Sequence, residues 1–151
     1  MSRKPSAEAA AAWTRLIRVQ QHLLAAVERD LKQAGFPPLA WYDALIELSR
    51  AKLGVLRPLE LEKTMQLPQY SMSRLIDRMV EAGLVERKTC PVDGRGQFIV
   101  ISAAGRVLQK RMGDCYAAAI ERHVGAKVSN KEAAGLVDLL DKLAPEPHRP
   151  Q

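Results

Sequence analysis

Side chains that can form hydrogen bonds with bases and phosphates are concentrated between residues 69 and 95. Guanidinium, hydroxyl and amide groups suit base edges, and cationic groups suit phosphates. One set falls in a short segment and a second set follows it; in order they are Gln69, Tyr70, Ser71, Ser73, Arg74 and Arg78, then Arg87, Lys88, Asp93 and Arg95. The sequence has no nucleotide-binding glycine loop, no metal-ligand spacing and no nucleophile beside a base. We therefore expect no enzyme, no cofactor and no metal site.

The first set lies on a segment with helical periodicity. Apolar residues recur there at three- and four-residue spacing, at Met72, Leu75, Ile76, Met79 and Val80. This spacing predicts a helix over about 69–82 with one buried face. The outward stripe would carry Tyr70, Ser73, Arg74 and Asp77, with Ser71 and Arg78 beside it. The N-terminal part of such a helix suits base contacts and Arg78 suits a phosphate or an acidic neighbour, whereas an ordinary surface helix is the alternative.

The second set lies on a predicted hairpin. Strands over about 84–90 and 97–102 flank the sequence PVDGRG, whose Asp-Gly pair favours a tight turn. Arg95 at the tip can enter a minor groove, and Asp93 can orient Arg95 through a charge-assisted hydrogen bond. Arg87 and Lys88 at the base can contact phosphate, although solvated strand charges are an equal interpretation. A helix followed by this hairpin predicts a winged helix-turn-helix that reads DNA.

Amphipathic helices precede and follow this centre. The pattern predicts helices over about 7–33, 39–52 and 58–65 before it, and over about 103–127 and 129–143 after it. Ser102 and Ser129 can cap the last two. The predicted fold class is mostly α with a small β-hairpin, a winged helix-turn-helix flanked by N- and C-terminal dimerisation helices.

The long helices expose more apolar surface than the small centre can cover. This excess predicts a symmetric homodimer. We expect one domain over residues 1–151, divided into a winged-helix lobe over about 36–102, dimerisation helices over about 7–33 and 103–143, and a flexible tail over 144–151.

The charge distribution supports specific placement of cations rather than bulk attraction. The net charge is +6 and the pI is about 9.6, which favours a polyanionic partner. Residues 57–96, however, hold seven Lys or Arg against six Asp or Glu, and the remainder hold 16 against 11. No apolar run is long enough for a bilayer and no signal peptide is evident, so we expect a cytoplasmic protein without a membrane partner. Cys90 and Cys115 form no zinc motif and no disulfide framework.

The central segment, SMSRLIDRMVEAGLVERKTCPVDGRGQFIVISAAGR, resembles the recognition helix and wing of the multiple antibiotic resistance regulator (MarR) family. The resemblance rests on residues 73–78, on residues 82–85 with Arg87, on residues 93–95, and on residues 101–102 with Gly105. It extends over roughly residues 10–143. One departure is Pro68, where many members have a capping Ser or Thr.

The resemblance implies a dimeric winged-helix transcription factor that binds a pseudo-palindromic operator in double-stranded DNA. Such factors are usually repressors that a small molecule or an oxidant releases. The family's wing arginine corresponds to Arg95, and its acidic partner corresponds to Asp93. The terminal helices would form the dimer.

The resemblance also implies an effector cleft between the dimer helices and the DNA-binding lobe. The candidate side chains there are Trp13, Arg15, Arg18, His22, Trp41 and Tyr42. Aromatic walls with an arginine suit an aromatic or anionic small molecule. Both tryptophans are more typical of a core or a dimer interface, and His22 is more typical of a surface or hydrogen-bonded histidine.

Two alternatives remain open from the sequence. Cys90 lies beside Arg87 and Lys88, which can lower a thiol pKa, so a thiol-based redox-responsive regulator is one of them. The family's peroxide sensors carry the reactive cysteine in the first helix, where this chain has none. The other alternative is a winged-helix protein-interaction module that does not bind DNA.

Overall fold

The computed structural model describes residues 2–89 and 96–144. This part of the chain contains helices and short strands in the predicted order, with one additional strand. Their bounds are α1 Ala7–Gln33, α2 Leu39–Arg50, β1 Val55–Leu56, α3 Pro58–Thr64, α4 Met72–Glu81, β2 Val85–Thr89, β3 Gln97–Ile101, α5 Ala103–Ile120 and α6 Asn130–Asp141. The predicted mostly helical class, with a hairpin after the fourth helix, is confirmed.

Local sequence explains several helix ends. Gly83 follows α4 in the left-handed conformation (φ 76°), which glycine adopts without steric strain. The Ser102 hydroxyl oxygen accepts the Gly105 N–H at 3.0 Å at the start of α5. Ser129 forms a reciprocal capping box with Glu132 at the start of α6. The two predicted serine caps are therefore confirmed.

Two predicted helix bounds are wrong. The recognition-helix candidate α4 begins at Met72 rather than at residue 69, because Ser71 is extended (φ −149°, ψ 101°) and its hydroxyl oxygen accepts the Arg74 N–H at 3.3 Å. The α-helical part of α5 ends at Ile120 rather than near residue 127. A π-helical turn over Glu121–Gly125 follows it. This turn ends at Gly125, and glycine has a low α-helix propensity.

The hairpin belongs to a three-stranded antiparallel sheet of order β1-β3-β2. Val85 pairs with Ile101 across the hairpin, and Val55 pairs with Val100 on the other side of β3. The sequence predicted only the two hairpin strands. The missing strand β1 has two residues, too few for an alternating pattern, and its partner is distant in sequence.

The core lies between this sheet and helices α2, α3 and α4. Leu45, Leu48, Leu61, Ile76 and Ile99 are fully or almost fully buried in one cluster. Each α-helix contributes one apolar stripe, as its periodicity predicts. The packing leaves the opposite stripe of α4 facing solvent.

A carboxylate on α1 supplies the N-terminal cap of α2. Pro38, the N-cap residue, provides no side-chain hydrogen bond. The Glu28 carboxylate oxygens lie 3.0 and 3.2 Å from the Leu39 backbone nitrogen and accept its N–H. A carboxylate at this position also interacts favourably with the helix dipole.

The chain divides into two compact units. Residues Glu28–Tyr116 form one unit, and the residues on either side of that range form the other. The second unit carries many exposed apolar side chains, namely Trp13, Leu16, Ile17, Val19, Ile120, Leu136, Val137, Leu139, Leu140 and Leu143. None of the helices in residues 2–89 and 96–144 combines the length and the apolar character that a bilayer crossing requires.

Candidate nucleic-acid interface

Helix α4 presents its polar side chains to solvent. Leu75, Ile76 and Met79 are buried on its inner face, and the neighbouring apolar residues of the stripe are partly buried. The outer face exposes Ser73, Arg74, Asp77 and Arg78. The predicted division between the two faces is confirmed.

The residues just before α4 differ in their environments. Tyr70 is fully exposed. Gln69 is partly buried, and its side-chain amide donates to the Leu67 carbonyl at 3.4 Å. Ser71 caps the helix, so its hydroxyl oxygen already accepts one hydrogen bond and retains its own proton for donation. These three side chains therefore precede the helix instead of forming its first turn.

An ion pair joins α4 to the hairpin. The Arg87 Nη2 atom on β2 lies 2.5 Å from the Asp77 Oδ1 atom on α4, and the two side chains are 34% and 61% exposed. From the sequence, Arg87 was predicted to contact phosphate or to be a solvated strand charge. The ion pair with Asp77 was not predicted. Lys88, the next residue, is exposed.

A cation–π contact also ties the hairpin to the helices. The Arg57 guanidinium carbon, just before α3, lies 4.7 Å from the centre of the Phe98 ring on β3. The same guanidinium fills the space beside Gly96 that a Cβ would occupy. Arg57 was not among the predicted residues, since nothing in the sequence pairs it with Phe98. Three predicted residues, Cys90, Asp93 and Arg95, lie outside the described residues.

Asp43 on α2 is the only buried charged residue in the described ranges, with 6% of its surface exposed. Its Oδ1 accepts the Gln66 N–H at 3.1 Å, and its Oδ2 accepts the Leu67 N–H at 2.8 Å. Burial raises the pKa of the Asp43 carboxyl above its ordinary value, and this effect exceeds the lowering by the two backbone N–H groups. Sequence analysis missed Asp43, although an acidic residue within WYDALIEL, next to buried Ala44 and Leu45, was a usable signal.

Two tyrosines lie close to this carboxylate. The Tyr42 and Tyr116 ring centres are 5.1 Å apart at an interplanar angle of 49°. Burial, followed by the proximity of Tyr42 and Asp43, raises the pKa of the Tyr116 hydroxyl. Trp41 is partly buried against the core cluster. These contacts favour structural roles for the two predicted effector residues on α2.

The other predicted effector residues lie on α1. Trp13 is 68% exposed, and Arg15, Arg18 and His22 are also exposed. They belong to the unit outside Glu28–Tyr116, whereas Trp41 and Tyr42 belong to the unit within it. Their role in effector binding stays a prediction. In the described parts of the chain no group of three or more His, Cys, Asp or Glu side chains is placed to hold a metal ion.

Comparisons with known proteins agree with this architecture. A model of the MarR family matches residues 34–96, which contain α2 to α4 and the start of the hairpin region. The multiple antibiotic resistance protein MarR of Escherichia coli K12 is 27% identical over 88 residues, or 58% of this chain and 61% of that protein. The match therefore spans less than two thirds of this curated relative.

Solved structures match over most of the chain. Sco3205, a MarR family transcriptional regulator from Streptomyces coelicolor solved in complex with DNA, has a TM-score of 0.84 at 24% identity and covers 95% of this chain and 89% of its own. AbsC, a MarR family transcriptional regulator from the same organism, has a TM-score of 0.79 at 26% identity, with coverage of 94% and 95%.

The sequence matches and the near-complete agreement in fold lead to the same family. They also agree with the residue pattern that runs from α4 through the hairpin. Residues 34–96 are thus similar to the MarR family, and the fold of the chain matches that of solved MarR family proteins.

Proposed function

We propose that this protein is a transcriptional regulator that binds double-stranded DNA as a homodimer. The observation that carries the proposal is the outer face of α4. Ser73, Arg74 and Arg78 are exposed there opposite a buried apolar stripe. Such a face can enter a major groove without loss of core packing.

Each polar group of this face suits a different contact. Arg74 lies in the first turn of α4, where a guanidinium can form bidentate hydrogen bonds with guanine. Ser73 can donate to or accept from a base edge or a phosphate. Arg78 lies one turn later on α4, and Lys88 lies on β2. Both suit contacts with phosphates, and such contacts position the protein without reading the sequence. The proposal also includes the two roles predicted from the sequence: Arg95 enters a minor groove, and Asp93 orients Arg95.

A second copy of the chain would place two α4 helices on two half-sites. The exposed apolar side chains of the unit outside Glu28–Tyr116 support this assembly, because water contact with so many of them is unfavourable in a monomer. A symmetric dimer requires a pseudo-palindromic site with half-sites about one helical turn apart. Binding would block or redirect transcription, most simply as a repressor.

A pool of random-sequence duplexes, enriched by binding to the wild-type protein, provides the test. We expect an enriched pseudo-palindrome that binds with steep salt dependence. Arg74→Ala should weaken this binding by about 1–3 kcal/mol and relax the preference at one position of each half-site. Lys88→Ala should weaken binding to all sequences about equally, and it should reduce the slope of log affinity against log salt concentration by about one.

Arg29→Ala is the matched control, since it removes an exposed arginine of α1 that has no place in the proposed interface. Equal binding by Arg74→Ala and Arg29→Ala would contradict the assignment of α4. A wild-type protein that enriches no duplex would instead indicate the protein-interaction module.

We also propose that a small aromatic or anionic effector releases the protein from DNA. The candidate contacts remain Trp13, Arg15, Arg18, His22, Trp41 and Tyr42. An effector can shift the equilibrium only if it binds the DNA-competent and incompetent dimers unequally. A screen of aromatic acids and peroxides against the preformed complex tests this step. Release by peroxide that Cys90→Ser abolishes would establish the redox alternative, and release by neither class would contradict both.

A further inference from the structure

The connection between α3 and α4 is held by a side chain from a third helix. Residues 65–71 form this connection, and Met65 is already extended (φ −63°, ψ 142°). The N–H groups of Gln66 and Leu67 therefore lie beyond the end of α3, and Pro68 has no N–H. Asp43 accepts the N–H groups of Gln66 and Leu67, one on each carboxylate oxygen.

We call these two hydrogen bonds the Asp43 bracket. They are shielded from water because the carboxylate is buried. Asp43 is 6% exposed on α2, and neighbouring Ala44 and Leu45 are completely buried in the core. Met65, adjacent to the bracketed N–H groups, is also buried in that core. The connection is thus fixed to α2 at its beginning, and it continues through Pro68 and Gln69 to Tyr70 and the first turn of α4.

The acceptor in this bracket is a carboxylate, although burial of a neutral acceptor would cost less free energy. Burial raises the pKa of the Asp43 carboxyl despite the two hydrogen bonds, so the ionised group is held against a desolvation penalty. Two oxygens on one side chain can accept from two successive N–H groups, whereas an asparagine has one such oxygen. The chemistry therefore favours a role in geometry over a role in stability.

We propose that Asp43 is a positioning residue that sets the DNA-contacting start of α4 by holding the Gln66 and Leu67 N–H groups. This inference rests on the proposed DNA-binding function. It concerns a residue that touches no nucleic acid and acts through the connection that precedes Tyr70 and Ser71.

The main test compares Asp43→Asn with Glu62→Gln on the duplex that the wild-type protein enriches. Both variants remove one negative charge from the same unit, and Glu62 is an exposed residue of α3. Electrostatics alone would make both variants bind DNA slightly more tightly. If Asp43 positions α4, Asp43→Asn binds more weakly instead, by about tenfold if the competent conformation falls to about one tenth of the population.

Two further measurements separate positioning from loss of folding. Thermal unfolding should show Asp43→Asn folded at the assay temperature, and the slope of binding against salt should equal that of Glu62→Gln because the phosphate contacts are unchanged. The chemical shifts of the Gln66 and Leu67 amide protons should change in the direction of weaker hydrogen bonding in Asp43→Asn and not in Glu62→Gln.

A second pair of variants tests the same bracket from the other side. Gln66→Pro removes the N–H that Asp43 Oδ1 accepts, and extended Met65 has the backbone conformation that precedes proline. Gln66→Ala removes the same exposed side chain and keeps the N–H. Weaker DNA binding by Gln66→Pro than by Gln66→Ala is expected, and this pair decides the matter if Asp43→Asn does not fold.

Each outcome has one meaning. Weaker binding by Asp43→Asn than by Glu62→Gln, with folding retained, supports the inference. Equal binding by Asp43→Asn and Glu62→Gln, with both folded, overturns it while the proposed function stands. If Asp43→Asn does not fold, equal binding by Gln66→Pro and Gln66→Ala overturns it. A wild-type protein that enriches no duplex overturns the proposed function and the inference together.

Discussion

Arg87 on β2 and Asp77 on α4 form an ion pair across the junction between hairpin and helix, with 2.5 Å between Nη2 and Oδ1. The pair compensates the negative charge of Asp77 on the exposed face of α4. An uncompensated Asp77 would repel phosphates close to the proposed groove contacts. Arg87 thus supports the proposed interface from the hairpin side.

The stability contribution of this pair should nevertheless be small. The side chains are 34% and 61% exposed, and exposed pairs contribute about 0.2–1 kcal/mol. A double-mutant cycle of Arg87→Ala and Asp77→Ala in urea unfolding should give a coupling energy in that range, reduced by added salt. A coupling well above it would contradict the solvent exposure of the two side chains.

The cap from Glu28 should contribute more. Glu28→Ala leaves the Leu39 N–H at the start of α2 without its acceptor. We expect the free energy of unfolding to fall by about 1 kcal/mol, as for other N-cap removals. Glu62→Ala is the control, because it makes the same change at an exposed helical position. Equal effects of the two substitutions in urea unfolding would contradict the capping role.

Two glycines of α5 should respond to alanine in opposite directions. A Cβ at Gly105 would collide with the Leu84 carbonyl oxygen, which is backbone and cannot move away cheaply. A Cβ at Gly113 would meet the Tyr42 ring at 3.5 Å, an ordinary contact. Gly105→Ala should therefore destabilise by about 1–3 kcal/mol, whereas Gly113→Ala should stabilise by about 0.5–1 kcal/mol. Thermal or urea unfolding distinguishes the two signs.

Buried Asp43 should give the wild-type protein a characteristic pH dependence. Its ordinary pKa of 3.8 applies to the unfolded chain, and burial raises the pKa in the folded protein. The folded state therefore binds the proton more tightly, so this contribution to stability is present below the unfolded pKa and is lost as the pH rises through the folded pKa.

The measurement is the difference in unfolding free energy between the wild-type protein and Asp43→Asn across an acidic pH series. Other titrating groups largely cancel in this difference. Relative to the variant, the wild-type protein should lose stability as the pH rises from about 4. A difference that does not change with pH, or one that grows in favour of the wild type, would show that the carboxyl is not desolvated as the structure indicates.

The features that were predictable from sequence are those that neighbouring residues determine. The apolar stripe of α4 and the caps at Ser102 and Ser129 depend on spacings of three or four residues. The unpredicted features join distant segments. Asp43 meets Gln66 and Leu67, and Arg87 meets Asp77. No local pattern specifies such pairs, because only the packed tertiary structure brings them together.

Proline also led to an incorrect predicted start for α4. Pro68 correctly indicated a break, but the connection continues through Tyr70, and Ser71 provides the cap. The sequence rule places a helix soon after such a break, whereas the side-chain hydrogen bond to Arg74 determines the actual start.

The central place of β3 in the sheet has a consequence for the order of folding. The pairing of β2 with β3 closes a short loop, whereas the pairing of Val55 with Val100 closes a much longer one. Longer loops lose more entropy on closure and slow the formation of the contacts that they join. We expect the hairpin to form first and β1 to dock late, so that Val55→Ala mainly speeds unfolding while Val85→Ala also slows refolding in stopped-flow kinetics.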